Sequence, residues 1–164
     1  MNDKNDMTLH VGVRLSGSLD AANHPTVTAA YEQLGSDPPS KGVVAANGDI
    51  DLNQMDFDGK RYSKRIDITF SLSGDIESPD GDPLAFRFPA NPEQAIEVKY
   101  QGERTREGMT PRAGPDAMSV VLDDEDRANR TYEYCLSVRV HTAGAAVGDH
   151  VTCKLDPLIV NRRQ

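Results

Sequence analysis

A chain of 164 residues makes one domain, 1–164, able to bury about 70% of its unfolded surface without disulfides or metals. Aromatic residues are 5% of the chain and tryptophan is absent, which argues against the stacked-ring surfaces that bind carbohydrate or single-stranded nucleic acid. A formal net charge of −8 repels nucleic acid and anionic lipid and leaves a protein partner, or self-association, as the expected interaction.

From Met1 to Asp6 the chain is polar and carries no apolar core of a signal sequence. Residues 1–7 and 162–164 read as flexible ends. No apolar run approaches the roughly 20 residues of a membrane helix, so the expectation is a cytoplasmic protein without a membrane segment. Leu9, Val11, Val13 and Leu15 alternate and predict a strand over 8–15. Residues 16–42 are rich in Gly, Ser, Asp and Pro. Within them Val27, Ala30, Tyr31 and Leu34 fall at helical spacing, with Pro25 before and Gly35 after, and predict a short helix over 25–34. Val43 to Ala46 predicts a strand and Asn47-Gly48 a tight hairpin turn, with Ile50, Leu52, Met55 and Phe57 on the return.

Ile66, Ile68, Phe70 and Leu72 alternate without error. So do Leu84, Phe86 and Phe88, then Ile96, Val98 and Tyr100, with Pro- and Gly-bearing turns around them. Residues 101–116 read as a long polar loop, and Met118, Val120 and Leu122 as another strand. Tyr132, Tyr134, Leu136, Val138 and Val140 carry the strongest period-2 signal, with polar residues between them. Val151, Cys153 and Leu155 alternate after the Ala143 to Asp149 loop, and Leu158-Ile159-Val160 ends the ordered pattern. Seven to nine short strands without long helices predict an all-β fold, an antiparallel β-sandwich.

Parity along the last two long strands decides the chemistry that their side chains can share. It places Cys135 and Cys153 on opposite faces, against a disulfide. It places His141 and His150 on one face, directly opposite each other in one allowed register, a possible seed for a copper or zinc site. Cys135 lies ~20 Å along the strand from His141 and could not share that metal. Elsewhere the chain has no nucleophile elbow, no paired-histidine helix motif, no phosphate loop and no dinucleotide fingerprint. The acidic runs Asp80-Gly81-Asp82 and Asp123 to Asp126 do not match a calcium loop. Lys60, Arg61, Lys64 and Arg65, and Arg104, Arg106 and Arg112, read as a solvated strand end and a charged loop.

Tyr132-x-Tyr134-x-Leu136-x-Val138-x-Val140, followed by Asp156-Pro157-Leu158-Ile159-Val160-Asn161, resembles the end of the DP-EP family, small bacterial proteins of unknown function. The resemblance covers residues 118–161; the chain has no Glu-Pro dipeptide. It implies an immunoglobulin-like or cupredoxin-like sandwich and no activity. Asp156, Pro157 and Asn161 are expected to act structurally, Asp156 by accepting a backbone N–H beyond the turn. The functional expectation is a non-enzymatic interaction or assembly module that uses segments 16–42 and 101–116. The alternatives are a metal-binding protein built on His141 and His150, and a hydrolase whose site follows no known motif. Apart from that metal ion no cofactor is expected.

Overall fold

The computed structural model describes residues 4–105, 108–125, 131–142, 150–155 and 157–160. Its elements in chain order are β1 (Asn5–Leu19), β2 (Pro25–Asp37), β3 (Ile50–Asp51), a 3-10 turn (Leu52–Gln54), β4 (Tyr62–Glu77), β5 (Phe86–Arg87), α1 (Pro92–Ala95), β6 (Ile96–Tyr100), β7 (Glu103–Arg104), β8 (Met109–Ala113), β9 (Ser119–Asp124), β10 (Thr131–His141), β11 (His150–Leu155) and β12 (Leu158–Val160). They form two sheets. The first runs β2-β1-β4-β9-β8; the second runs β3-β12-β10-β6-β7, with β5 and β11 also paired to β10. The fold is therefore all-β and sandwich-like, as the alternation predicts. The two-residue strands β3, β5 and β7 carry the strand total past the expected range, because two residues are too few to show a period.

The alternating residues supply the inner layers. Leu9, Val11, Val13, Leu15, Ile66, Ile68 and Phe70 from the first sheet are buried, as are Tyr132, Tyr134, Leu136, Val138 and Val140 from the second. The rings of Phe70 and Tyr134 meet between the layers at 5.3 Å. The Tyr134 hydroxyl donates to the Gly48 carbonyl at 2.6 Å inside this core. Most neighbouring strands are antiparallel, but β1 and β4 are parallel along nearly their whole length. After β2 the chain crosses to the second sheet, where β3 pairs with β12, and returns to begin β4 at the end where β1 begins.

Four expectations are corrected. Residues 25–34 are strand, not helix: β2 pairs antiparallel with β1 from Leu19–Pro25 to Thr8–Asp37. The β-branched run Thr26, Val27, Thr28 favours strand. The apparent helical stripe splits between faces, with Tyr31 opposite the buried Val13 and Ala30 opposite the outward Arg14. Leu34, also outward, is 57% exposed. Segment 101–116 contains β7 and β8, and β8 contributes the buried Met109 to the core. Pro111 is tolerated there because β8 is an edge strand. The flexible end expected over 1–7 is instead strand from Asn5, where β1 starts, and Met7 is buried; residues 1–3 and 162–164 lie outside the described residues. The Asn47-Gly48 turn forms, with Ala45 N–H on Asp49 O at 2.8 Å and Gly48 N–H on Ala45 O at 2.9 Å. Gly48 has φ +94, and a Cβ there would stand 2.8 Å from the Tyr31 ring and from Pro157. Only Val44 bridges to Ile50, and the expected return strand becomes the 3-10 turn with Leu52 and Met55 buried.

Candidate anion-binding face

β10 lies at the centre of the second sheet, and both of its neighbours are interrupted. On one side β11 pairs with residues 136–141 and β12 with 131–133. Between them Pro157 is buried and its carbonyl accepts the Tyr134 N–H at 2.9 Å. Asp156 and Asn161 lie outside the described residues. On the other side β6 pairs with residues 133–136 and β5 with 139–140. The single turn of α1 stands in that gap. Asn91 caps it by accepting the Glu93 N–H at 3.0 Å, and Pro92 occupies its first turn.

These interruptions open a polar cleft of about 440 Å³ on the outward face of the sheet, lined by Asn91, Glu93, Gln94, Glu97, Arg104, Ser137 and Lys154. The register sets the side chains around it in rows. Glu133, Lys99 and Arg104 form one row; Cys135 and Glu97 the next; then Ser137 and Lys154; then Arg87, Arg139 and Thr152; and finally His141 with His150. Like charges thus stand directly opposite each other in the pairs Lys99–Arg104 and Arg87–Arg139. Cross-strand like charges destabilise a sheet by a few tenths of a kcal/mol to about 1 kcal/mol.

The carboxylates present do not neutralise this face. Arg104 Nε is 3.2 Å from Glu97 Oε1. That hydrogen bond holds the Glu97 carboxyl below the ordinary carboxylate range, with the charges of Arg104, Lys99 and Lys154 adding to it. Arg139 donates instead to a neutral acceptor, Gln94 Oε1, at 3.2 Å. No carboxylate among the described residues is within ion-pair distance of Arg87, Lys99, Arg139 or Lys154.

His141 and His150 are brought together as register partners on this outward face. Among the described residues no group of three His, Cys, Asp or Glu side chains could hold a metal ion. The next row along the strands is Arg87, Arg139 and Thr152, and fixed positive charge beside two imidazoles suits an oxyanion better than a divalent cation. Both cysteines are free thiols. Cys153 faces the core opposite Val138, where burial raises its thiol pKa. Cys135 is on the other face, as parity predicts. It is buried rather than partly exposed, at 8%.

Sequence reasoning found His141 and His150 but not the cations beside them. Arg139 was legible as an outward residue of the strongest strand. Arg87, Lys99 and Lys154 join it only through strand pairing, which period-2 alternation does not encode. Among the described residues, the expected contact segments 16–42 and 101–116 contribute only Arg104 to this face. No helix among the described residues is long and apolar enough to cross a membrane. Comparison with known proteins finds no family model and no curated sequence that matches the chain.

Proposed function

We propose that the protein is a non-catalytic interaction module that holds an acidic protein partner on the outward face of the second sheet. The observation that carries this reading is Arg87 directly opposite Arg139 across the sheet, with no carboxylate among the described residues at ion-pair distance from either, in a chain whose net charge is −8. Such a chain has carboxylates to spare, and an acidic partner supplies the neutralisation that the fold omits. The free thiols fit a reducing compartment and so a cytoplasmic location. The DP-EP resemblance implies no activity and adds none.

Titration of a fluorescent glutamate decapeptide tests the reading. Binding is expected at low ionic strength and is expected to weaken as salt shortens the Debye length to about 8 Å at 0.15 M. It is also expected to weaken at least tenfold in Arg139→Glu and Lys154→Glu. No binding at low salt, or unchanged binding in both variants, overturns it.

The second reading is a metal site on His141 and His150, favoured by their direct opposition across β10 and β11. Zinc and copper titration of the protein against the His141→Ala, His150→Ala double variant tests it; equal affinity for both proteins removes it. No observation favours a hydrolase.

A further inference from the structure

Resting on the acidic-partner reading, we infer that the partner binds as an extended segment along β10, with acidic side chains at alternate positions. Two rows with fixed positive charge and one row with two imidazole N–H donors fall consecutively along the sheet. Lys154 stands beside Ser137, Arg87 beside Arg139, and His150 beside His141. Successive rows are two residues apart, about 7 Å along the strand. An extended peptide repeats its same-side side chains at the same interval, because its own period is two. Three acidic residues at i, i+2 and i+4 therefore match the three rows without distortion on either side.

The ends of the run are defined. Toward the start of β10 the next row holds Glu97 opposite Cys135, and the Glu97 carboxylate is already engaged by Arg104. This negative charge stops the acidic stretch. At the other end β10 finishes at His141. The cleft borders the segment only at the Ser137–Lys154 row, where Asn91 and Gln94 face Lys154; its remaining lining holds Glu93 and Glu97, beyond the acidic stretch. Gln94 accepts from Arg139, holding one guanidinium in place without consuming its charge.

A nucleic-acid strand is the weaker match for the same rows. The outward positions of β10 and β11 are Thr131, Glu133, Cys135, Ser137, Arg139, His141, His150, Thr152 and Lys154, with no Phe, Tyr or Trp ring on which successive bases could stack. A long polyanion would also run off these three rows onto a surface whose net charge is negative.

Fluorescence polarisation with three end-blocked probes tests this. The first is Asp-Thr-Asp-Thr-Asp, the second Asp-Asp-Asp-Thr-Thr of equal charge and composition, and the third a five-nucleotide thymidine strand. The alternating peptide is expected to bind at least fivefold tighter than the blocked one. Arg139→Ala and Lys154→Ala, each confirmed folded by its circular dichroism, are expected to abolish that preference, and Arg14→Ala, on the outward face of the first sheet, to retain it. Equal binding of the two peptides, with loss of both in Arg139→Ala, overturns the extended register while the acidic-partner reading stands. No binding of either peptide overturns both. Tighter binding of the thymidine strand than of the alternating peptide overturns the peptide assignment.

Discussion

On the outward face of the first sheet, Arg65 reaches Asp123 at 3.4 Å and Glu125 at 2.8 Å, and Arg112 reaches Asp67 at 2.7 Å. Here Arg65 and Arg112 each have a carboxylate. On the outward face of the second sheet, Arg87 stands opposite Arg139 and Lys99 opposite Arg104, and among the described residues the one short ion pair is Arg104 with Glu97. Both faces are built on strands with equally well-buried inner sides, so the difference does not come from the core. It shows that folding of the sandwich constrains the inward residues and leaves each outward layer free to serve either stability or binding. Arg65 and Arg112 of the first sheet pair their charge with neighbouring carboxylates, whereas the charges of the second sheet are the ones proposed to hold a partner.

The largest effect expected is one that erases the comparison by separating the layers. Tyr134 packs on Phe70 across the core and donates to Gly48 O. Tyr134→Ala should cost about 3–5 kcal/mol by loss of packing. Tyr134→Phe should cost about 1–2 kcal/mol, because it leaves the Gly48 carbonyl without its donor. Urea unfolding of the two variants measures both. A loss below 1 kcal/mol for the alanine variant would mean that the layers do not depend on this contact.

A smaller effect with opposite signs sharpens the comparison. Arg65→Gln removes the partner of Asp123 and Glu125, and should lower stability by about 0.5–1 kcal/mol, the range of partly exposed ion pairs. Arg87→Gln removes one member of a like-charged pair, and should leave stability unchanged or raise it by up to about 0.5 kcal/mol. Salt should shrink both differences. Urea unfolding at low and high salt distinguishes the faces; the same sign for both variants would show that they are electrostatically alike.

The sandwich was legible because burial on one side writes itself as period-2 alternation, nowhere more clearly than from Tyr132 to Val140. β2 was misread because Val27, Ala30, Tyr31 and Leu34 carry a helical spacing that pairing with β1 overrides, and their true division between faces follows no single period. The face around Arg139 was half legible. Parity puts Arg139 and His141 outward together, and the chain-adjacent β11 brings His150 with them. Arg87 and Lys99 come from strands that α1 separates, so the placement of both beside β10, opposite Arg139 and Glu133, depends on a four-residue helix whose spacing effect no local pattern announces.

The smallest effect lies within the neutralised face. Asp123 stands directly opposite Asp67. Burial raises its carboxyl pKa above the ordinary value of 3.8; Asp67 and Glu125 push the same way, and Arg65 and Arg112 only partly oppose them. The folded state thus binds this proton more readily than the unfolded chain. Stability then falls as pH rises from about 3.8 through the raised folded value, and the cost is fully present above it. Asp123→Asn removes the titration, and Arg65 retains Glu125 as its partner. The variant should therefore gain stability relative to the parent as pH increases from 3 to 7, which urea unfolding across that range would measure. A relative loss over the same range would mean that Arg65 and Arg112 outweigh burial, and that even this acidic pair is held ionised by the fold.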